Sequence, residues 1–164
     1  MPRISLALTA LALALIGPAA LAPAQTFSNP EPIVVPGFGP ASPYPSTILV
    51  SGLSGRIVSV TVALYGLEHG FPDDMDVLLV GPQGQTVVLM SDCGGTEDLM
   101  GVDLVFADGA PPLPDSGLIT SGTYSPTNIG AGDAFPPRRP PGRTATPSLS
   151  SSERTPTVCG ASTR

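Results

Sequence analysis

Residues 77–90 constrain the fold more tightly than any other stretch. One apolar run, Val77 to Val80, is separated from a second, Thr86 to Met90, by Gly81-Pro82-Gln83-Gly84. Two short apolar runs joined by a Gly/Pro turn predict a β-hairpin. The unbroken Val77–Val80 run suits a strand buried on both faces. Upstream, Arg56 to Tyr65 has period two: Val58, Val60, Val62 and Leu64 alternate with Ser59, Thr61, Ala63 and Tyr65. That pattern predicts a half-buried strand. Shorter strands are expected at Thr47–Val50, Val102–Phe106 and Leu118–Ser121, with an edge strand at Ile33–Val35. No window carries three or four turns of helical periodicity, and 19 glycines and 21 prolines punctuate the 164 residues. The expected class is all-β, an antiparallel β-sandwich or jelly roll.

The charge balance excludes several functions. Between residues 25 and 135 twelve acids face a single base, Arg56, and lysine is absent from the whole chain. Such a surface repels phosphate backbones, so no nucleic-acid partner is expected. It favours solubility and attracts divalent cations. Residues 1–24 read as a secretory signal peptide: Arg3, a Leu/Ala/Ile run from Ile4 to Ile16, and the small-x-small site Ala22-Pro23-Ala24. The apolar run is shorter than the roughly 20 residues a spanning helix needs. The expected location is therefore secreted, extracellular or periplasmic, with no membrane association after cleavage. Two cysteines, Cys93 and Cys159, are permitted to pair in an exported chain, but the sequence does not pair them. Cys93, in a Ser-Asp-Cys-Gly-Gly turn, reads as an incidental small residue rather than a nucleophile.

Residues 25–45 form a Pro-rich lead-in, 46–135 carry the sandwich pattern, and 136–164 change character. This last segment holds five arginines and one glutamate, and its strand patterning is lost. It reads as a disordered Arg/Pro/Ser-rich tail, out of frame with the preceding gene. Permissible codons for Gly142 to Thr163, regrouped by one frame, yield a D-P-N-G-x-W-x-L-Y run.

The order of parts from His69 to Gly84 resembles the P domain (P/Homo B domain), which follows the catalytic domain of kexin- and furin-type proprotein convertases. That family's pattern runs from a His through a Gly-Asp-Leu-like triplet and alternating apolars to Pro-x-Gly. His69, Asp74, Leu79, Pro82 and Gly84 fall on it, while Asp73 stands where the family has Gly. The N-G-x-W-x-L core of the regrouped tail resembles a late strand of the same family. The resemblance implies a galactose-binding-like jelly roll, incomplete at its C-terminus. It also implies a companion module that packs on a subtilisin-like serine endopeptidase domain and supports its folding and calcium dependence.

The residues themselves offer little catalysis. His69 is the only histidine and lies in the motif; it reads as a turn residue bonded to the Asp73/Asp74 loop. Gly52-Leu53-Ser54-Gly55 is one residue too tight for a nucleophile elbow, so no enzyme activity is expected. Asp73, Asp74 and Asp76 on one acidic turn, with Asp92 in the next, form a candidate calcium site. Hard carboxylate oxygens suit Ca²⁺, and in a strand Asp74 and Asp76 would share a face. The competing reading is that these acids cap their turn through backbone N–H groups. One His and one usable Cys do not make a zinc set. Carbohydrate stacking would need clustered exposed aromatics, and the chain has no Trp. The expected function is a non-catalytic accessory module partnering a subtilisin-like domain or another extracellular protein. The alternative is an autonomous calcium- or carbohydrate-binding adhesion module.

Overall fold

The computed structural model describes residues 24–130, 132–136 and, for the backbone alone, 157–163. The strands are β1 (Gly39–Pro40), β2 (Ser46–Thr47), β3 (Val62–His69), β4 (Met75–Val80), β5 (Thr86–Ser91), β6 (Leu99–Phe106), β7 (Gly122–Tyr124), β8 (Thr127–Asn128) and β9 (Thr157–Thr163). Among the described residues the one helical turn is a 3₁₀ turn at Pro72–Asp74. The chain is all-β.

One sheet runs β1-β9-β4-β5-β8, with β2 also on β9; the other runs β3-β6-β7. Both are mixed, because β8 pairs parallel to β5 and β7 parallel to β6. The expectation of purely antiparallel sheets is corrected here. A parallel neighbour needs a crossover rather than a tight turn, and the irregular segment 107–121 between β6 and β7 supplies one.

The expected hairpin is present as β4 and β5, with Leu78 opposite Val88 and Val80 opposite Thr86. Its turn is closed by the Gly84 N–H on Gly81 O (3.0 Å) and the Gly81 N–H on Gln85 O (2.7 Å). Gly84 has φ +88°, a left-handed conformation that a glycine adopts without strain. The register shifts beside Val77 in both ladders of β4. Alternation is lost at that bulge, and Met75, Asp76 and Val77 are all buried in succession.

A single apolar cluster draws on both sheets: Val77, Leu89 and Met90 from one, Val102, Leu104 and Phe106 from the other. The Pro-rich segment 25–45 is built into this cluster rather than standing ahead of it. Ala41 is buried there, with Ile33 and Val35 half-buried against it. The edge strand expected at Ile33–Val35 reduces to one bridge, Val34 to Ser42, closed by two backbone bonds of 2.8 and 2.9 Å.

Three strand boundaries move, each because of what lies opposite. β3 begins at Val62, not Arg56, since its partner β6 ends with Phe106 opposite Val62. The chain then turns away, with the Ala107 N–H donating to Tyr124 O at 2.9 Å. Residues 56–61 have no facing strand among the described residues, and Ile57, Val58 and Val60 stay exposed. The run Leu118–Ser121 is not a strand: Ile119 is buried in the core, Leu118 is exposed, and pairing starts only at Gly122, opposite Leu104. Thr47–Val50 contracts to β2, Ser46–Thr47.

The C-terminal segment departs from the expected structureless tail. Residues 157–163 form β9, inserted between β4 and the pair β1 and β2. β4 therefore has ladder partners on both edges, with Met75 opposite Thr163 and Val80 opposite Thr157. Thr157 to Thr163 carries no charge and contains β-branched residues, a composition that suits a strand between two others. The signal-peptide segment and the Arg/Pro-rich stretch 137–156 lie outside the described residues.

Candidate metal centre

The acidic residues that the fold gathers are Asp76, Asp92 and Asp133. A carboxylate oxygen from each lies within 4.8 Å of those of the others. Asp76 comes from β4 just before its bulge and is 4% exposed. Ser91, fully buried at the end of β5, donates its hydroxyl to Asp76 Oδ1 at 2.6 Å. A short bond to a carboxylate of this kind is charge-assisted and fixes the acceptor's orientation. Asp92 follows at φ +53°, a left-handed conformation that Asp tolerates better than most residues. That conformation ends β5 and turns the Asp92 carboxylate toward the segment after β8.

Asp133 arrives on that segment. The Ile129 N–H bonds Ser91 O at 3.1 Å, docking the chain beside the end of β5. Gly130 has φ +81°, and a Cβ placed on it would stand 3.2 Å from Asp92 Oδ2. The backbone therefore passes close to the Asp92 carboxylate, where a side chain would be strained by the φ and would crowd that oxygen.

Of the expected ligands, Asp76 and Asp92 belong to this group and Asp73 and Asp74 do not. Asp74 and Asp76 were expected to share a strand face, but β4 starts at Met75 and Asp74 sits in the 3₁₀ turn. The two-residue period does not extend through a 3₁₀ turn. There the Asp74 N–H donates to Phe71 O at 3.0 Å and the Asp73 N–H to Gly95 O at 3.4 Å. Asp133 escaped the sequence reading because it lies in a Gly-Ala-Gly-Asp coil far along the chain from Asp92; no local pattern ties the two.

Three carboxylates this close could hold a divalent cation. The donor set is all hard oxygen, which fits Ca²⁺ or Mg²⁺ and not a thiolate-seeking metal. Ca²⁺ takes six to eight oxygens, so water or carbonyl groups would complete the shell.

Beside the centre lies Cys93, a fully buried free thiol. Its sulfur is 3.1 Å from Ser91 O and 3.8 Å from Thr127 O. Burial pushes the thiol up to about 11, with the Asp92, Asp73 and Asp115 carboxylates adding to the rise and the Ser91 bond opposing it. A thiol so held is a packing element and a poor nucleophile. The side chain of Cys159 lies outside the described residues.

His69 is tied to backbone, including that of Phe71, which caps the turn holding Asp73 and Asp74. Its Nδ1 is 2.9 Å from Phe71 O, and its Nε2 is 3.3 Å from Pro36 O. It stands at the end of β3 beside an open groove lined by Glu68, Gly70, Asp98, Leu99 and Met100. No family model, curated protein or solved structure matches this chain. No helix among the described residues is long and apolar enough to cross a membrane.

Proposed function

We propose that this chain is a secreted, non-catalytic β-sandwich of the P-domain kind that stabilises a subtilisin-like serine endopeptidase. The observation that carries this reading is the structural use made of the motif residues. His69 links β3 to the Pro36 and Phe71 backbone, Asp74 lies in the 3₁₀ turn, Leu79 is in β4, and Pro82 and Gly84 form the hairpin turn. The sandwich arrangement is supported by the apolar cluster that draws on both sheets. Asp76, Asp92 and Asp133 bind calcium in this reading, and calcium locks the end of β5 to the segment after β8.

Two measurements test it. The first is the thermal-inactivation half-life of a subtilisin-like catalytic domain from the same genome, with and without the purified chain. A lengthened half-life is expected; no change removes the accessory role. The chain alone should cleave no casein, and labelling of a single serine by a fluorophosphonate probe would overturn the non-catalytic reading. The second is melting temperature in millimolar Ca²⁺ against chelator, where stabilisation follows RT ln(1 + [L]/Kd). Asp92→Asn and Asp133→Asn should each reduce the gain, and identical melts would eliminate the cation. The second reading, an autonomous calcium-binding module, is favoured by a cluster that lies wholly within this chain. Calcium stabilisation without any effect on the protease would select it.

A further inference from the structure

We infer that the free edge of β3, extended backward through residues 56–61, pairs with the same edge of a second copy of this chain. β3 is an edge strand of its three-stranded sheet, with β6 on one side and no strand on the other among the described residues. The sequence continues its alternation back to Arg56, yet residues 56–61 have no ladder partner among the described residues. Ile57 is 69%, Val58 94% and Val60 56% exposed. An unpaired edge running into exposed β-branched residues is a template for another strand.

The occupant is identified by charge. Arg56 is the single arginine or lysine between residues 25 and 135. Glu68, exposed at the other end of β3, and Asp98 line the open groove beside His69. Val62 lies midway, six residues from Arg56 and six from Glu68. Antiparallel pairing about a two-fold axis at Val62 carries Arg56 of each copy about 20 Å from the axis, at about 3.3 Å per residue. That is where the other copy's β3 ends at its acidic groove. β3 gains a residue against β6 between Leu64 and Leu67, and β6 regains it between Leu67 and Glu68, so the register at Glu68 is the one set at Val62 to Leu64. With the Glu68 and Asp98 carboxylates both lining that groove, the long Arg56 side chain is offered two acceptors. Between these ends, Val60 falls opposite Leu64 of the partner and diagonal to its Val62, and Val58 falls opposite Gly66 and diagonal to Leu64. The contact is isologous and closes, as a two-fold dimer requires.

Sedimentation of the exported chain over a concentration series tests this directly. A reversible dimer is expected, with amides of residues 57–61 gaining exchange protection as concentration rises. Arg56→Glu should weaken association at least tenfold, as should Glu68→Arg. The doubly reversed chain should recover most of the loss. Val58→Pro, at an exposed site clear of the core, should abolish the dimer and leave the monomer's melting temperature unchanged. A chain that stays monomeric throughout the series would overturn the inference, as would a dimer indifferent to Arg56→Glu and Val58→Pro. Protection of 57–61 appearing only with a different protein would also overturn it, since the edge would then serve another partner.

Discussion

The β4–β5 hairpin and the Arg56–Tyr65 stretch carry comparable strand signals, yet the fold treats them differently. The hairpin becomes the buried centre of its sheet, with Leu89 and Met90 almost wholly removed from solvent. The period-two stretch becomes strand only from Val62 onward, and Val58 in its first half is 94% exposed. The difference lies in the partner. The hairpin brings its own across a five-residue loop, Gly81 to Gln85, whereas β3 depends on β6, which ends at Phe106. Periodicity measures a segment's capacity to be a strand, and pairing decides whether that capacity is used.

The sharpest way to break this contrast is a cavity in the hairpin's core. Leu89→Ala should cost about 2–5 kcal/mol, a large share of the roughly 5–15 kcal/mol that holds an ordinary domain together. Chemical denaturation should show it. A loss under about 1 kcal/mol would mean that the hairpin is no better anchored than residues 56–61.

Next in size is a pH effect at the end of the same hairpin. The Cys93 thiol is raised from 9.0 to about 11 in the folded chain. The unfolded thiol ionises first as pH rises, so stability is fully present below about pH 9 and is lost progressively toward pH 11. The loss approaches about 2–3 kcal/mol. Cys93→Ala should flatten the stability curve between pH 9 and 11; an unchanged slope would show that the thiol is not desolvated.

Gly94 sharpens the comparison at the turn. Its φ is +89°, and an added Cβ would fall 2.7 Å from Ile119 Cδ1 and 3.1 Å from Pro72 Cγ. Gly94→Ala should cost about 1–3 kcal/mol from backbone strain and crowding together. Gly55 has a similar φ with open space around it, so Gly55→Ala should cost the strain alone. Equal melting shifts for the two would refute the crowding.

The smallest effect belongs to the exposed stretch. Val60→Ser should change monomer stability by less than about 0.5 kcal/mol, measured at concentrations low enough to keep the chain monomeric. Native-state amide exchange completes the comparison: Leu78 and Leu79 should exchange slowly and residues 57–60 fast under those conditions.

Sequence alone determined what depends on neighbours along the chain. The all-β class, the hairpin with its Gly81–Gly84 turn, and the burial of Val77 and Val80 all rest on period, run length and turn chemistry. Tertiary structure decided what depends on residues that meet across space. It stopped β3 at Val62, because β6 ends opposite it. It made β7 and β8 parallel neighbours, because they arrive by crossover. It placed residues 157–163 against β4, whose second edge needs hydrogen-bonding partners. The acidic site divides along the same line. Asp76 and Asp92 were legible as carboxylates flanking a hairpin, since β4 and β5 bring their ends together. Asp74 stands apart from that group because a 3₁₀ turn, invisible in the pattern of acids, breaks the strand period before β4. Asp133 was illegible, because its proximity to Asp92 is made by the docking of Ile129 on Ser91 and the close passage of Gly130, and neither contact leaves a mark in local sequence.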